Sequence, residues 1–271
     1  MTIWQALILG IVQGITEFFP ISSSGHLLLV PELFGWQEQP LAFDVALHAG
    51  TAIAILMYFH RDWWFLIRES VCDLRQHGAR ITRWGPYGRL MLLLAAGTVP
   101  AVIVGLSIAE LEEQLRTPGV VAAMLILVGL YMAAAERWSN PNKEPGLERL
   151  TVTGSLIVGV AQASALIPGV SRSGSTIATG MFIGLDRATA ARFSFLLATP
   201  VTVAALFKEL PNLQGAADQG ISTTAIVVGI VTSFVVGLAA IRFLLRYLSA
   251  GSLYPFVIYR IALAVLVLLV V

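Results

Sequence analysis

Long apolar runs, separated by short polar segments, dominate the sequence from one end to the other. A helix that crosses a bilayer needs roughly 20 mostly apolar residues. Six runs meet that requirement: residues 42–60, 90–108, 119–137, 193–210, 223–244 and 253–271. The pattern therefore predicts an all-α polytopic membrane protein with six transmembrane helices.

Two further apolar segments, residues 3–35 and 153–185, are interrupted by residues that fit badly in lipid. The first carries Glu17, a proline and a run of serines, and the second carries Pro168 and Arg172 among several hydroxyl residues. Lipid cannot hydrogen-bond the backbone groups freed by such breaks, so protein or a water-filled cavity must surround them. We predict that each segment forms a re-entrant helix pair.

The two broken segments also resemble each other. LILGIVQ at 7–13 is similar to LIVGVAQ at 156–162, and each leads to a proline and then to a Ser-x-Ser-Gly cluster. A re-entrant helix pair returns to the side of the membrane on which it started, whereas three transmembrane spans end on the opposite side. If each half of the chain contains one such pair and three spans, the second half has the opposite orientation in the membrane to the first. We predict one membrane domain, residues 1–271, with inverted-topology repeats at about 1–138 and 150–271 and a site near the bilayer midplane.

Composition agrees with a location in a bilayer: 57% of the residues are hydrophobic, 12% are charged, and the mean hydropathy is +0.81. The formal net charge of +1 offers no basic surface of the kind that binds nucleic acid, so that class of partner is excluded. The single cysteine, Cys72, lies in a polar stretch at about 60–89 that we predict to be a loop. Alone, it can form no internal disulfide.

The distribution of Lys and Arg predicts the orientation, because basic residues favour cytoplasmic loops. Most of the 17 Lys and Arg residues fall at 60–89, 137–151, 185–192 and the end of the fifth predicted span. The opposite loops hold Arg116, Lys208, Glu110, Glu112, Glu113, Glu209 and Asp218. We therefore expect both termini outside the cell.

The segment PGVSRSGST at 168–176 combines small residues, hydroxyl groups and one guanidinium. Small residues leave N–H groups free at a helix start, where phosphate binds, and arginine adds a planar fork that matches phosphate oxygens. The alternative is that Arg172 snorkels to an interface or pairs with Glu17 for purely structural reasons. We predict an anion cradle formed by Ser171, Arg172, Ser173 and Thr176.

The segment QGITEFFPISSSGH at 13–26 brings together a carboxylate, hydroxyl groups and an imidazole. These groups perform acid, base and nucleophilic catalysis, so we predict catalytic roles for His26, Ser23 and Glu17. Gln13 lies four residues before Glu17 on the same helix face, and the two offer oxygen ligands for a hydrated divalent cation. The alternative for His26 is a hydrogen bond between helices.

Arg260 lies in the middle of the last predicted span. A charged residue at that depth costs about 2.5–3.5 kcal/mol on insertion scales and therefore requires an anionic partner. We predict that Arg260 joins Arg172 in binding a ligand with more than one negative charge, such as pyrophosphate. The alternative is a counter-ion to Glu17 or Asp44.

At the two motifs the sequence resembles the undecaprenyl pyrophosphate phosphatases, a membrane family tied to bacitracin resistance. The family signature of Glu or Gln, then Gly-x-Thr-Glu-Phe-x-Pro-x-Ser-Ser-x-Gly-His, matches Gln13 through His26. The second signature, Pro-Gly-x-Ser-Arg-Ser-Gly-x-Thr, matches Pro168 through Thr176. The likeness covers essentially the whole chain, although many members carry a glutamate at the position of Gln13.

The resemblance implies hydrolysis of undecaprenyl pyrophosphate to undecaprenyl phosphate and inorganic phosphate. This reaction recycles the carrier lipid for peptidoglycan synthesis and gives bacitracin resistance. The resemblance also implies a divalent cation, Mg²⁺ or Ca²⁺, and a location in the bacterial cytoplasmic (inner) membrane with the site open to the extracytoplasmic side. The functional positions that it implies are His26, Ser23, Glu17, Arg172, Ser171, Thr176 and Arg260.

Several alternatives stay open from the sequence. His26 either attacks phosphorus or activates Ser23 or a water molecule, and the oligomeric state, including a homodimer, is undetermined. A secondary transporter or lipid flippase is the rival from another functional class, because inverted repeats with re-entrant pairs are a transporter architecture. A non-catalytic membrane scaffold would leave the buried charges unexplained.

Overall fold

The structure, a computed structural model, describes residues 1–107, 114–139, 146–214 and 221–270. Within those ranges the regular structure is helical, with two short 3₁₀ turns and no strand. The predicted acidic residues Glu110, Glu112, Glu113 and Asp218, and part of the basic segment at 137–151, lie outside the described residues.

Eleven helices make up the described part of the chain. They are α1 (Ile3–Thr16), α2 (Ser23–Phe34), α3 (Leu41–Tyr58), α4 (His60–His77), α5 (Pro86–Ser107), α6 (Pro118–Trp138), α7 (Val152–Ser164), α8 (Arg172–Phe182), α9 (Arg187–Gln214), α10 (Thr223–Leu248) and α11 (Tyr254–Val270).

Five of the described helices, α3, α5, α6, α9 and α10, are long and apolar enough to cross a membrane. The mean hydropathy of their apolar windows lies between 1.6 and 2.4. Helix α11 is also apolar but has 17 residues, so it lies at the lower limit for a span. A polytopic, all-helical membrane protein is therefore confirmed, and the sixth span at 253–271 stays a prediction.

Each predicted broken segment contains two short helices separated by a break. The first break lies between α1 and α2, and the second break lies between α7 and α8. Helices α1 and α2 have 14 and 12 residues, and α7 and α8 have 13 and 11. At 1.5 Å per residue, each is roughly 16–21 Å long, which is shorter than the hydrocarbon core of about 30 Å. None of the four helices can therefore cross a bilayer alone.

The backbone adopts the same unusual conformation at corresponding points of the two breaks. Among the described residues, Ser22 (φ 72°) and Ser171 (φ 67°) are the non-glycine residues with positive φ. Each precedes the first residue of the second short helix in its segment. A non-glycine residue in this region is disfavoured and persists only where its surroundings enforce it, which is typical of functional sites.

The prediction of a loop throughout 60–89 was wrong, because residues 60–77 form helix α4. Trp63 and Leu66 lie one turn apart on one face and join the apolar core, while most of the remaining side chains are polar and more exposed. The abundance of charges conceals this helical period in the sequence. Cys72 consequently lies in a helix and is partly exposed.

In each half of the chain, the first short helix packs against a long helix of the other half. Helix α1 packs against α10, and α7 packs against α5. Glycines permit both approaches: a Cβ added at Gly10 would lie 2.8 Å from Thr232 Cβ, and one added at Gly159 would lie 2.2 Å from Gly97 O. Each short helix that leads into a break is thereby fixed against a long helix from the other half.

Gly159→Ala is expected to destabilise the protein by roughly 1–3 kcal/mol, the usual cost of overpacking. The added methyl group would collide with Gly97 O and force α5 and α7 apart. Gly105→Ala, also in a membrane helix, is the control, because its methyl group would meet Leu166 Cδ1 at 3.8 Å. Thermal unfolding in detergent measures the effect, and equal Tm values for the two variants would contradict the close helix packing.

Candidate active site

The two breaks meet through Glu17 and Arg172. Glu17 follows the last residue of α1, and Arg172 is the first residue of α8. Arg172 Nη2 donates to Glu17 Oε1, while Nη1 donates to Thr202 Oγ1 at 2.5 Å. The side chains of the ion pair are only 17% and 11% exposed, so the pair is shielded from solvent on most sides.

The second carboxylate oxygen of Glu17 is also engaged. Oε2 accepts a hydrogen bond from Ser23 Oγ at 2.9 Å and another from Gln13 Nε2 at 3.1 Å. His48 Nε2 lies 3.8 Å from the same oxygen. The structure therefore gives the Ser23 hydroxyl a carboxylate that can accept its proton, which is the arrangement that activates a serine oxygen.

Aromatic packing fixes the backbone around Glu17. Phe18 makes an edge-to-face contact with Phe195, with ring centroids 5.7 Å apart. Phe19 stacks on Phe243 at the same centroid separation and also meets Phe256 edge to face. Such pairs prefer offset or edge-on geometries at these distances. The first break is consequently anchored on two sides by aromatic rings, of which Phe18 and Phe195 are buried and Phe243 is 55% exposed.

The hydroxyl groups of the predicted cradle are buried and make hydrogen bonds within the protein. Ser171 Oγ accepts from Gly174 N at 3.2 Å, and Ser173 Oγ donates to Phe19 O at 3.0 Å. Thr176 Oγ1 donates to Arg172 O at 2.7 Å. These bonds attach the start of α8 to itself and to the first break. Pyrophosphate binding by these hydroxyls stays a prediction.

His26 forms its hydrogen bonds with groups other than Glu17 and Arg172. Its Nδ1 lies 2.7 Å from Ser22 O, and its Nε2 lies 2.8 Å from the hydroxyl oxygen of Tyr259 on α11. The imidazole and phenol rings are nearly parallel, with an interplanar angle of 5° and centroids 5.6 Å apart. The interhelical hydrogen bond weighed for His26 is therefore present, and its catalytic role stays a prediction.

Arg260 is completely buried and joins both breaks through backbone carbonyl groups. Its guanidinium donates to Pro20 O in the first break and to Gly169 O and Val170 O in the second. It also donates to Met124 O and Leu125 O on α6. Its hydrogen-bond partners are thus carbonyl oxygens rather than Glu17 or Asp44, and its contact with pyrophosphate stays a prediction.

The predicted metal ligands, Gln13 and Glu17, provide oxygen atoms but too few to complete the coordination of a divalent cation. Gln13 Oε1 is buried and has no hydrogen-bond partner among the described residues, and Glu17 lies beside it. The described residues contain no group of three or more His, Cys, Asp or Glu side chains placed to hold a metal. The two oxygen-bearing side chains fit a Mg²⁺ or Ca²⁺ ion that keeps water or phosphate oxygens as its other ligands.

Three residues whose side chains contact those of His26, Glu17 or Arg172 were not predicted: Tyr259, His48 and Thr202. All three lie outside the two sequence motifs, and each meets its partner through the tertiary fold. His48 carried one signal, since an ionisable side chain within a membrane span is a functional candidate by default. Neither of the other two residues carries a sequence signal of this kind.

Comparisons with known proteins agree with the resemblance that the two motifs carry. The profile of the family described as "Bacitracin resistance protein BacA" matches residues 6–266. A protein of Pelotomaculum thermopropionicum named undecaprenyl-diphosphatase is 44% identical, and the alignment covers 99% of this chain and 97% of that protein. Proteins of the same name from Marinobacter nauticus (40% identical, 97% of each chain) and Gemmatimonas aurantiaca (41% identical, 98% of this chain and 97% of that protein) are also similar. The chain therefore belongs to the bacitracin resistance protein BacA family.

Proposed function

We propose that the protein hydrolyses undecaprenyl pyrophosphate to undecaprenyl phosphate and inorganic phosphate. The product is the carrier lipid for peptidoglycan synthesis, and its recycling gives bacitracin resistance. Family membership and the names of the relatives support the substrate and the reaction. The single observation in the structure that carries the proposal is the Glu17–Arg172 pair with Ser23 beside it, because it joins a cation, a carboxylate and a hydroxyl across two breaks.

The arrangement supports a mechanism in which positioning and charge neutralisation supply most of the catalysis. Arg172 binds the pyrophosphate oxygens, and Ser171, Ser173, Thr176 and Arg260 are proposed as further donors. For Ser173 and Thr176 to donate, each hydroxyl group must first release the backbone carbonyl to which it donates in this structure. Either a water oxygen attacks the terminal phosphorus and forms inorganic phosphate directly, or the Ser23 oxygen attacks and forms a phosphoserine that water then hydrolyses to inorganic phosphate. In both cases the anhydride P–O bond breaks and undecaprenyl phosphate leaves. The proton from the attacking oxygen passes to Glu17 or to His26.

Ser23 is the favoured nucleophile among these alternatives. Its hydroxyl already donates to Glu17 Oε2, whereas both ring nitrogens of His26 are engaged by other groups. Direct attack by His26 would first require a ring nitrogen to lose its partner. His26 then serves as an acid or base toward the leaving group or the hydrolytic water.

A divalent cation, Mg²⁺ or Ca²⁺, would be held by Gln13 Oε1 and Glu17. When bound, it neutralises negative charge on the phosphate groups. The carboxylate of Glu17 would then divide its oxygens between the cation, Arg172 and Ser23.

We also propose a specific arrangement of the helices in the membrane. We assign six transmembrane helices and two re-entrant pairs to one domain, residues 1–271, with inverted repeats at about 1–138 and 150–271. The equal backbone conformations of Ser22 and Ser171 and the reciprocal packing of α1 and α7 support this assignment. The distribution of basic residues supports an orientation with both termini outside. The family resemblance implies an inner-membrane location and a site that opens to the extracytoplasmic side. Association into a homodimer and contacts with membrane lipid remain predictions.

Phosphate release from purified protein in detergent tests the function. We expect inorganic phosphate to appear from undecaprenyl or farnesyl pyrophosphate when Mg²⁺ or Ca²⁺ is present, and to stop when a chelator removes the cation. A transporter or flippase would leave the pyrophosphate intact, because no membrane separates two compartments in detergent. Intact substrate would refute the proposal, and undiminished release in the presence of chelator would refute its metal requirement.

A further inference from the structure

His26 is held at both of its ring nitrogens. A carbonyl oxygen can only accept a hydrogen bond, so the 2.7 Å contact with Ser22 O places a proton on Nδ1. In the neutral ring, Nε2 then has a lone pair, and the Tyr259 hydroxyl 2.8 Å away donates to it. The two partners together define one tautomer and one orientation of the imidazole.

The two partners of His26 come from distant parts of the fold. Ser22 lies in the first break with φ 72°, so its carbonyl direction is set by the strained turn before α2. Tyr259 lies on α11, beside the buried Arg260 that attaches α11 to both breaks. The phenol position is therefore fixed relative to the break by the same contacts that hold the site together.

Tyr259 lies beside His26 and is the more exposed of the two residues. His26 is 7% exposed, whereas Tyr259 is 45% exposed and lies with its ring nearly parallel to the imidazole. Among the described residues, Tyr259 is the one hydrogen-bond partner of Nε2. Any proton that reaches or leaves Nε2 must therefore pass through the Tyr259 hydroxyl or displace it.

We propose that Tyr259 is the positioning residue of His26 in the hydrolysis. Its hydroxyl donates to Nε2 of the neutral ring and, after rotation, accepts from Nε2–H once the ring has gained a proton. A hydroxyl group is suited to this role because it can donate or accept, and an imidazole requires each in turn. The catalytic part of this inference rests on the proposed function, whereas the hydrogen bond itself does not.

Tyr259→Phe removes the hydroxyl group and keeps the aromatic ring beside His26. Loss of one hydrogen bond of ordinary strength is expected to lower kcat by about 3- to 10-fold, with KM unchanged. Tyr254→Phe is the matched control, since Tyr254 lies on the same helix and is 42% exposed. Wild-type kcat in Tyr259→Phe would overturn the proposal.

A double-mutant cycle separates positioning from general stabilisation. If Tyr259 acts through His26, adding Tyr259→Phe to His26→Ala should cause no further loss of kcat. A structural role would cost the same factor with or without the imidazole, because distant and independent effects add. A further 3- to 10-fold loss in the His26→Ala background would overturn the proposal.

A chemical readout keeps the inference testable without turnover. Diethyl pyrocarbonate acylates the free lone pair of a neutral imidazole, so removal of the Tyr259 hydroxyl should speed acylation of His26 by about 3- to 10-fold. Mass spectrometry follows His26, with the exposed His60 as internal reference. An unchanged rate would overturn the role of Tyr259, whereas absence of phosphate release from the wild-type protein would refute only the proposed function.

Discussion

Arg172→Lys is expected to lower kcat/KM for phosphate release by at least about a hundredfold. The guanidinium donates to Glu17 through Nη2 and to Thr202 through Nη1. A lysine ammonium is a compact charge on a flexible stem and cannot reproduce this planar fork or the bidentate contact with phosphate that we propose for it. Initial rates with undecaprenyl pyrophosphate in detergent measure the loss.

Arg192→Lys is the matched control for that substitution. Arg192 also pairs with a carboxylate, Asp62, but its side chain is 53% exposed and lies outside the site. Exposed ion pairs contribute about 0–1 kcal/mol, so this variant should retain nearly normal activity. If Arg172→Lys lowered the Tm while kcat stayed normal, the Glu17–Arg172 pair would be structural only, which is the alternative left open by the sequence.

His26→Ala is expected to reduce kcat by at least about a hundredfold, the lower range for general acid–base assistance. The substitution removes the imidazole that Ser22 O and Tyr259 hold in one orientation. Single-turnover phosphate release measures the chemical step directly. His60→Ala provides the comparison, because His60 is exposed and its ring nitrogen lies 2.6 Å from the nearby backbone oxygen of Met57.

Near-normal turnover by His26→Ala would remove the imidazole from the mechanism. In that case the Ser23–Glu17 contact would remain as the acid–base pair, and Tyr259 would lose its proposed role as well. A large loss shared by His26→Ala and His60→Ala would instead indicate general damage to the protein.

Much of the fold follows from the apolar pattern, because a bilayer requires helices of a certain length. The long helices α3, α5, α6, α9 and α10 coincide with predicted spans. The breaks were also predictable, since a proline and a charge within an apolar run cannot face lipid. Helix α4 was not predicted, because the charged and polar residues of its segment favoured a loop, although Trp63, Leu66, Ile67 and Leu74 recur at helical spacing.

Which residues belong to the candidate site was easier to predict from the sequence than how their side chains are arranged. Glu17 and Arg172 stand out in the sequence because a charge inside an apolar segment needs a partner, and they contact each other in the structure. The direction of His26 could not be predicted, since it depends on the positive φ of Ser22. Its contact with Tyr259 joins residues that are 233 positions apart in the chain.

Arg260 illustrates a second limit of sequence reasoning. A cation within an apolar span indicates that an acceptor is present, but it does not say which kind. In the structure the acceptors are backbone carbonyl groups of α6 and of both breaks. The carbonyl groups of the two breaks are free because the breaks interrupt the helical hydrogen bonds, so Arg260 stabilises the irregular backbone on which the site is built.

The meeting of the two breaks at Glu17 and Arg172 is tested most directly by a double-mutant cycle on unfolding. Glu17→Gln, Arg172→Gln and the double variant are unfolded in detergent beside the wild type. Because each single substitution leaves one buried charge unpaired, we predict a coupling of at least about 1 kcal/mol, with the double variant more stable than the two single losses imply. Losses that add to within about 0.3–0.5 kcal/mol would show that the two residues do not interact and would contradict a shared site.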